Sequence, residues 1–323
     1  MKNVFLTGGT GFVGKYIIEE LIREGYNVRA LSRSRESDRT LREMGCDPVH
    51  CSLDKPETLE MGVRGCDIVI HCAAKLETNA DSVQELYRDN VQGTENLFQV
   101  SKRDNVRVFI FISSEGVIMN GQHINNADEQ IPIPPLNTLG WYNESKALSE
   151  QYINNNRTNL MKSIIIRLPL VWGARDNVLD YLVGLCNKFQ WFWIGGGKNY
   201  LSILHAKNAA HGIRLAIEKG EDGETYFLSD GEPVQYQRFF TDRFKQKGVQ
   251  TWKLKMSLPI WFAWFLVFCF SLIWKVFKLK GLPLLTKTGL IYSSKNFTLN
   301  DSKARKKLGY SNIVSYEQGM KEL

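Results

Sequence analysis

The sequence predicts an α/β protein whose parallel sheet is doubly wound, with a smaller lobe toward the C-terminus. Short runs rich in Val, Ile and Phe alternate with longer amphipathic stretches over the first two-thirds of the 323 residues. Strands that alternate with helices pair in parallel, and right-handed crossovers place the helices on both faces of the sheet. After about residue 170 the alternation becomes irregular, which indicates the smaller lobe.

The expected elements follow the chain in order. Periodicity predicts strands at 3–7, 27–32, 49–52, 67–72, 106–113 and 163–167, and helices at 12–24, 55–63, 81–103 and 139–152. A helix at 206–218 and a strand at 225–228 come later. We therefore expect a first domain at 1–170, to which residues 200–230 return, and a second domain at 171–323.

Composition and charge exclude several classes of protein. Hydrophobic residues make up 43% and charged residues 23% of the chain, and the mean hydropathy is −0.25, which excludes a disordered chain and a polytopic membrane protein. The formal net charge of +7 is uneven, because residues 238–323 hold 16 Lys and Arg but only 4 Asp and Glu. The body of the protein is thus mildly acidic and its C-terminal part is basic.

The six cysteines predict neither a metal site nor a disulfide framework. They form no C-x-x-C pair and lack the spacing of zinc ligands. Most lie in apolar runs, where a thiol behaves as a small hydrophobic side chain. A glycine-rich segment begins at Gly8, which leaves no room for a signal peptide before it. We expect a reduced, cytoplasmic body without a bound metal.

The glycine-rich segment stands between the first predicted strand and the first predicted helix. Residues 7–14 read T-G-G-T-G-F-V-G, in which Gly8 permits a tight turn, Gly11 allows a close approach to the backbone and Gly14 lets the helix pack on the strand. The helix that Phe12 and Val13 begin presents free N–H groups at its N-terminus, which attract phosphate. This context predicts a Rossmann-type binding site for a dinucleotide.

The end of the second strand indicates which dinucleotide binds. A free ribose 2′-hydroxyl, as in NAD(H), is met by a carboxylate at this point, whereas the 2′-phosphate of NADP(H) is met by arginine. Here Ser32 occupies the position of the acid, and Arg33 and Arg35 follow it. The sequence therefore favours NADP(H) over NAD(H), although two solvated surface arginines would give the same pattern.

Two further strand ends are expected to contact the same cofactor. Leu53 and Asp54 follow the third strand and would meet the adenine. Ala73 and Ala74 follow the fourth strand, where small side chains would let the dinucleotide cross the sheet. Ligands of doubly wound sheets bind at the carboxyl ends of the strands, which makes all four residues candidates for cofactor binding.

A tyrosine and a lysine four residues apart suggest proton chemistry. Tyr142 and Lys146 share one face of a predicted helix, and Ser114 ends the fifth strand at the ligand-binding edge. Interconverting an alcohol and a ketone requires an acid or base at the oxygen, and a nearby ammonium lowers the pKa of a phenol. We assign Tyr142 as the acid or base. Lys146 would lower the pKa of this phenol and contact the nicotinamide ribose. Ser114 would donate the hydrogen bond that orients the carbonyl. The alternative interpretation is an exposed amphipathic helix.

These motifs resemble those of the extended short-chain dehydrogenase/reductase family. The glycine turn, N-V-Q-G-T at 90–94 and Y-N-E-S-K at 142–146 match that family. R-L-P-L-V-W-G at 167–173 is similar to its segment beside the nicotinamide, which implies a contact from Pro169. Y-F-L-S-D-G-E-P-V at 226–234 looks like the 3β-hydroxysteroid dehydrogenase/isomerase branch, in which sterol-4α-carboxylate 3-dehydrogenases fall. The resemblance implies an NAD(P)-dependent 3β-hydroxy/3-keto oxidoreductase of a sterol-like or lipidic substrate, with the C-terminal lobe binding that substrate.

Two departures from the family pattern leave alternatives open. Trp172 replaces the usual tyrosine, and Lys207 stands where the family usually places aspartate. The competing hypotheses are a reductase of long-chain β-keto acids or of the dihydroflavonol type, a nucleotide-sugar epimerase, and a protein that binds NADP(H) without turnover. No residue is assigned to an isomerase step, and an accompanying decarboxylation, the physiological direction and a possible homodimer stay open.

One segment is apolar enough to associate with a membrane. Residues 256–274 carry no charge and are flanked by Lys253, Lys255, Lys275, Lys278 and Lys280. At 1.5 Å per residue a helix of this length would extend ~28 Å. Lysines on both sides and the family-like C-terminus favour an interfacial anchor over a span, and a buried helix or hydrophobic lid is the third possibility. We expect a peripherally or monotopically membrane-associated enzyme, and nucleic acid is disfavoured because the sequence has no recognised binding module.

Overall fold

The structure is a computed structural model, and it describes residues 2–77, 80, 82–138, 140–188, 190–277, 283 and 285–323. Asp81 and Leu139, the first residues of two predicted helices, lie outside these ranges. So do Lys278 and Lys280, two of the lysines that flank the apolar segment.

Strands occur throughout the chain and are longest in its first half. They are β1 (Asn3–Thr7), β2 (Asn27–Ser32), β3 (Asp47–His50), β4 (Ile68–His71), β5 (Val108–Ser114), β6 (Ile124–Ala127), β7 (Lys162–Leu168), β8 (Leu170–Trp172), β9 (Trp193–Ile194), β10 (Tyr200–Leu201), β11 (Ile203–His205), β12 (Thr225–Phe227), β13 (Val234–Gln235), β14 (Ser257–Leu258) and β15 (Phe297–Leu299).

Helices connect these strands. They are α1 (Phe12–Arg23), α2 (Arg35–Glu43), α3 (Pro56–Val63), α4 (Val83–Tyr87), α5 (Gly93–Arg103), α6 (Trp141–Asn155), α7 (Asn177–Asn187), α8 (Ala206–Lys219), α9 (Tyr236–Gln246), α10 (Ile260–Phe277), α11 (Lys287–Ser294), α12 (Ser302–Leu308) and α13 (Tyr316–Lys321). A π-helical turn, Arg88–Gln92, joins α4 to α5, and a 3-10 turn, Glu115–Ile118, follows β5.

Seven parallel strands form the main sheet in the order β12-β7-β5-β4-β1-β2-β3. The chain winds outward from β1 to β3 and then returns to β4 on the other side of β1. In such a sheet, ligands bind in the crevice beyond the carboxyl ends of the two strands at this reversal. The predicted fold class, a doubly wound parallel Rossmann sheet with a smaller C-terminal lobe, is confirmed.

Alternate residues of the central strands supply the two hydrophobic layers that cover the sheet. Successive side chains of a strand point to opposite faces. On β1 the buried Val4 and Leu6 therefore pack in a cluster with residues of α1 and α8, whereas Phe5 packs in a second cluster with residues of α3 and α5. The continuous apolar runs of the sequence are thus strands that are buried on both faces.

In the first half of the chain, the helices differ from the prediction at two points. The helix expected at 81–103 is divided by the π-helical turn into α4 and α5. Helix α2 has no counterpart among the predicted elements, because its sequence R-E-S-D-R-T-L-R-E buries only Asp38 and Leu41 and so shows no apolar stripe.

The C-terminal lobe contains a second sheet in the order β13-β10-β15-β6 and two pairs of strands, β8 with β11 and β9 with β14. This sheet mixes strands from distant parts of the chain, since β15 pairs with β6. By contrast, β12 joins the main sheet beside β7, and α8 packs on α1. Parts of the 200–230 region therefore lie against the main sheet. The division into domains at 1–170 and 171–323, with 200–230 returning to the first, stays a prediction.

Helix α10 covers most of the apolar segment. By length and composition it is a candidate membrane span within the described part of the chain. One side packs on the protein through Ala263 and Val267, which cluster with Leu290 of α11. The opposite side leaves large side chains open, with exposed fractions of 71% for Trp261 and 66% for Phe268.

Candidate active site

The glycine turn between β1 and α1 is built so tightly that side chains would not fit. Gly8 has a φ of +76°, and a Cβ on it would lie 2.7 Å from the amide nitrogen of Ala73. A Cβ on Gly14 would lie 2.0 Å from the carbonyl oxygen of Gly8. Gly11 precedes α1 without any side chain that caps the helix, which leaves the helical N–H groups available to a phosphate.

The other predicted cofactor contacts surround this turn. Phe12 and Val13 are half-buried in the first turn of α1, and Ala73 donates its amide hydrogen to the hydroxyl of Thr7, 3.2 Å away. Ala74 is exposed and Leu53 is half-buried. Asp54 is exposed, and hydrogen bonding from Ser52 lowers the pKa of its carboxyl group.

A carboxylate that the sequence analysis missed lies at the end of β2. Asp38 of α2 is buried, its Oδ2 accepts a hydrogen bond from Nε2 of His50 at 2.6 Å, and its Oδ1 has no partner among the described residues. Interactions with Ser32 and His50 lower its pKa. Arg33 and Arg35 remain exposed. The position of Asp38 follows from the turn that folds α2 back onto β2 and β3, and its spacing in the sequence gives no signal of this.

Lys146 is anchored beside the sheet. Its amine donates a hydrogen bond to the carbonyl oxygen of Ile112, 2.7 Å away, and lies 4.4 Å from the ring centre of Phe111. Burial lowers the pKa of Lys146 to about 8. Tyr142 precedes Lys146 by four residues, about one turn of the helix, so the two side chains share a face. Both interact electrostatically with the thiol of Cys72, which follows β4.

The phenol of Tyr142 does not have the lowered pKa that the sequence analysis expected. Burial raises it, and the Cys72 thiol adds to the effect. Because Lys146 points its ammonium at a backbone carbonyl, that charge does not compensate for the loss of water around Tyr142. In this state, without bound cofactor or substrate, the tyrosine is therefore a protonated phenol.

The start of α6 is fixed from outside the helix. Gly140 precedes it with a φ of +79°, and the amide of Tyr142 donates to a carboxylate oxygen of Glu77, 2.8 Å away. Glu77 therefore takes over one of the N–H groups that a helix leaves free at its first turn. This bond sets where Tyr142 enters the cleft.

The π-helical turn braces α6 from the other side. Its Asn90 side chain donates to the hydroxyl of Ser145 at 2.9 Å, and its backbone carbonyl accepts from the hydroxyls of Thr94 and Ser149. A carbonyl freed by a π-helical turn requires such new donors. Since Ser145 adjoins Lys146, the N-V-Q-G-T segment holds the helix that carries the tyrosine and the lysine.

Ser114 lies at the carboxyl end of β5, as predicted, and it has a partner that the sequence did not reveal. Its hydroxyl accepts a hydrogen bond from the amide of Gly116 at 3.1 Å. Tyr292 on α11 interacts electrostatically with the side chains of Ser114 and Tyr142. Ser114, Tyr142 and Tyr292 are each only partly buried.

A second missed residue, Glu115, directly follows Ser114. It is 2% exposed, and its Oε2 has no hydrogen-bond partner in the part of the chain that the structure describes. Burial raises its pKa well above the ordinary value of a carboxyl group. Electrostatic interaction links it to Tyr292. A lone acid after a strand is usually exposed, so nothing in the sequence pointed to this site.

The segment that carries Pro169 links the cleft to the lobe. Pro169 is buried between β7 and β8. Trp172, the residue that replaces the family tyrosine, donates its indole N–H to Asp230 at 2.8 Å. Lys207, the other departure, pairs with Glu322 at 2.7 Å. Both departures are thus accommodated by polar partners, one in the interior of the lobe and one at its surface.

The fold and this arrangement of side chains define an NAD(P)-dependent oxidoreductase that acts on CH–OH groups, of the extended short-chain dehydrogenase/reductase class. Residues 5–260 match the 3-beta hydroxysteroid dehydrogenase/isomerase family, and the chain belongs to it.

Two relatives are similar to this chain over nearly the whole of both sequences. The chain is 67% identical over 328 residues to a sterol-4-alpha-carboxylate 3-dehydrogenase, decarboxylating, of Dictyostelium discoideum, with all of both chains covered. It is 30% identical to a farnesyl-dihydroquinoline-oxide ketoreductase of Stigmatella aurantiaca, over 99% of this chain and 95% of the relative.

Solved structures agree in fold. The crystal structure of gox2253 superposes with a TM-score of 0.81 at 25% identity, covering 100% of this chain and 96% of that one. A dTDP-glucose 4,6-dehydratase of Bacillus anthracis in complex with NAD gives a TM-score of 0.74 at 17% identity, over 100% of this chain and 95% of that one. The latter likeness concerns the fold alone.

Proposed function

We propose that this enzyme oxidises the 3-hydroxyl group of a sterol that bears a carboxylate on the neighbouring carbon, and that loss of carbon dioxide accompanies the oxidation. The observation that supports the proposal is that Tyr142 and Lys146 both interact with Cys72, which follows β4, while Lys146 donates to the carbonyl oxygen of Ile112 on β5, the strand that Ser114 ends. The substrate class rests on the 67% identity with the Dictyostelium discoideum dehydrogenase over the whole of both chains.

Each of the three residues has a separate task at the reacting oxygen. Ser114 holds the oxygen by a hydrogen bond, and Tyr142 exchanges a proton with it. Lys146 contributes its ammonium to the nicotinamide ribose and to the charge balance around the phenol. When bound, NAD(P)+ supplies the hydride acceptor and a positive charge. In the oxidation direction this charge would favour loss of the phenol proton of Tyr142, so that the phenolate can accept the proton of the alcohol.

NADP(H) is the cofactor that we favour. Arg33 and Arg35 are exposed beside the end of β2, within the region where a Rossmann sheet receives the adenosine ribose. The nearby carboxylate, Asp38, is held by His50 through its Oδ2. A ribose 2′-phosphate would therefore meet two guanidinium groups, and the turn at Gly8, Gly11 and Gly14 would hold the pyrophosphate.

We further propose that the enzyme has a cytoplasmic body that rests on a membrane through α10. Trp261, Phe265 and Phe268 are each more than half exposed and recur with helical spacing on one side. The other side of the helix packs against α11, so α10 lies along the body. This arrangement favours an interfacial helix over a span, and the positive charge of residues 238–323 would attract anionic headgroups.

In this proposal, the two expected domains bind different molecules. Residues 1–170, together with 200–230, would bind the cofactor, and the remainder of 171–323 would bind the sterol next to the membrane surface.

The deciding experiment incubates the full chain, solubilised in detergent, with a 4α-carboxy-3β-hydroxysterol and either NAD+ or NADP+. We expect growth of absorbance at 340 nm, a decarboxylated 3-ketosterol, and a higher kcat/KM with NADP+. Panels of β-keto acids, dihydroflavonols and nucleotide sugars serve as competing substrates. Turnover of one of these without turnover of the sterol would overturn the proposal, and so would tight cofactor binding with no turnover at all.

A further inference from the structure

A series of buried hydrogen bonds connects the glycine turn with α6. His71, the last residue of β4, lies at its centre and is 1% exposed. Nδ1 of His71 lies 2.7 Å from the hydroxyl of Thr7, the residue before Gly8, and Nε2 lies 2.9 Å from the hydroxyl of Thr94 on α5. Because the imidazole is hydrogen-bonded at both nitrogens, it holds these two hydroxyls at a set distance from each other.

The partners of Thr94 determine which imidazole nitrogen carries the hydrogen. The Thr94 hydroxyl has one hydrogen and donates it to the backbone carbonyl oxygen of Asn90, 2.5 Å away. The Thr94 oxygen must therefore accept the hydrogen of Nε2. Burial lowers the pKa of His71 to about 3, so the imidazole is neutral near pH 7 and its Nδ1 accepts from the Thr7 hydroxyl. Since the amide of Ala73 donates to the Thr7 oxygen at 3.2 Å, every donor points from the glycine turn toward Asn90.

The side chain of Asn90 continues the connection to α6. Its amide group accepts from the backbone nitrogen of Lys75 at 2.7 Å and donates to the backbone oxygen of the same residue at 2.9 Å, which fixes the segment after β4. It also donates to the hydroxyl of Ser145 at 2.9 Å, and this hydroxyl donates to the backbone oxygen of Tyr142 at 2.7 Å. We call the following residues, all of which are buried, the buried network: Thr7, His71, Thr94, Asn90 and Ser145.

Hydride transfer requires the two ends of this network to be placed correctly relative to each other. At one end the glycine turn would hold the dinucleotide, and at the other α6 carries Tyr142 and Lys146. Thr7 and His71 lie side by side on the paired strands β1 and β4, whereas α6 packs on α5 and the π-helical turn. His71 therefore joins the part of the sheet below the cofactor to the helices that support α6. A displacement of ~1 Å between reacting groups can reduce a rate ~100-fold.

We propose that His71 is a positioning residue, which through Thr94 and Asn90 sets the distance between the bound dinucleotide and the side chains of α6. His71 is almost fully enclosed, so it acts on the reaction through its neighbours. The inference rests on the proposed function for the tasks of Tyr142 and Lys146, and it adds a residue outside the cleft on which hydride transfer depends.

The test breaks one connection of the network at a time in the full chain, solubilised in detergent. His71→Asn keeps an acceptor for the Thr7 hydroxyl but loses the donor to Thr94, and Thr94→Val loses the hydroxyl while keeping the shape of the side chain. With a 4α-carboxy-3β-hydroxysterol as substrate, we expect kcat to fall about 10- to 100-fold in both variants, while KM and the Kd for NADP+ change less than about threefold. The isotope effect of deuterium on the carbon that bears the 3-hydroxyl should increase. Thr94→Ser restores the hydroxyl and should stay within about threefold of the wild type.

Ser101 supplies a matched control on the same helix as Thr94. It is buried, and its hydroxyl donates to the backbone oxygen of Leu97, four residues earlier, at 2.7 Å, just as the Thr94 hydroxyl donates to that of Asn90. Ser101 lies outside the buried network, so Ser101→Ala should lower stability without lowering kcat. The double variant His71→Asn with Thr94→Val should be no slower than the slower single variant, because both changes break the same connection.

The outcomes separate this inference from the proposed function. Normal kcat in both single variants, additive losses in the double variant, or parallel changes of kcat, KM and Kd would overturn the role of His71. NMR of the wild type with isotopically labelled histidine gives a readout that needs no variant to fold, since His71 should carry its hydrogen on Nε2 at pH 7, and a hydrogen on Nδ1 alone would also overturn it. If the wild type oxidises another alcohol in place of the sterol, only the proposed substrate is refuted, and the same comparison is made with that alcohol. Absence of any hydride transfer in the wild type would refute both.

Discussion

The amine of Lys146 donates its hydrogen bond to the carbonyl oxygen of Ile112, 2.7 Å away on β5. The lysine that shares a helix face with Tyr142 is therefore held by the main sheet. Burial at this position lowers the pKa of Lys146 to about 8, so its charge can change within the working range of the enzyme.

Cofactor affinity should consequently depend on pH. Below about pH 8 Lys146 is charged and can bind the nicotinamide ribose, and above it the charge is lost, so we expect the affinity of the free enzyme for NADP+ to fall as pH rises through this value. Fluorescence titration of the enzyme with NADP+ between pH 6.5 and 9.5 measures this affinity. Lys146→Met should bind more weakly at all pH values and show no such step, while the control Lys75→Arg should keep it. A wild type with a flat profile would show that Lys146 does not hold the ribose.

Replacing Tyr142 with phenylalanine should abolish hydride transfer and spare cofactor binding. Loss of a general acid or base typically costs 10²–10⁴-fold in rate, roughly, and the ring itself is retained. Turnover at 340 nm and cofactor titration give the two readouts. Tyr152→Phe is the control on the same helix, since the Tyr152 hydroxyl bonds Gln99 at 2.7 Å on the far side of α6 from the cleft residues. Near-normal turnover of Tyr142→Phe would remove Tyr142 from its proposed role.

Arg33 and Arg35 should determine the preference for NADP(H). We expect Arg33→Ala combined with Arg35→Ala to raise the Kd for NADP+ about tenfold or more and to leave the Kd for NAD+ nearly unchanged, because only NADP+ carries the 2′-phosphate. Arg39, which is on the same helix as Arg35 and pairs with Glu43 at 2.8 Å, supplies the control variant Arg39→Ala. Equal effects on both cofactors would mean that the arginines do not recognise the phosphate.

The open face of α10 should attach the protein to membranes. Deletion of 256–274 would also remove the packing of Ala263 and Val267, so the cleaner change is Phe265→Glu with Phe268→Glu, which alters exposed side chains. We expect this variant to lose flotation with anionic vesicles and to remain folded. Leu160→Glu changes a side chain that is 87% exposed elsewhere and should still float. Undiminished flotation of the α10 variant would contradict the proposed surface.

His71 should make the fold sensitive to acid. It is enclosed between Thr7 at 2.7 Å and Thr94 at 2.9 Å, and burial, with Lys146 adding to it, lowers its pKa to about 3. Below about pH 6.5 the unfolded chain binds a proton that the folded chain does not, so stability falls by roughly 1.4 kcal/mol per pH unit until about pH 3. Denaturant unfolding at pH 7 and 5 measures this difference.

The comparison that isolates this histidine uses two variants. His71→Asn should lose stability overall but lack this part of the acid dependence, whereas the exposed His123 can be changed to Gln with the dependence intact. An equal dependence on pH in the wild type and His71→Asn would show that His71 is not the group responsible.

The sequence predicts features that depend on residues close together in the chain, and it misses features that depend on contacts between distant residues. The strands of the main sheet, the glycine turn and the spacing of Tyr142 and Lys146 are local patterns, and all of them appear at the predicted places. Tyr292 could not be found in this way, since it lies 178 residues after Ser114 and reaches it only through the packing of α11. The raised pKa of Tyr142 was missed for a similar reason, because burial is a property of the assembled cleft.

The pairing of β6 with β15 has a consequence for how the chain is made. Residues 124–127 must wait for residues 297–299 before their sheet can close, whereas the strands of the main sheet up to β7 are complete by residue 168. A nascent chain that folds from its N-terminus would thus assemble the nucleotide-binding half first. During the delay the apolar α10 emerges from the ribosome before α11, the helix that covers one of its sides, so both of its sides are exposed until α11 is made.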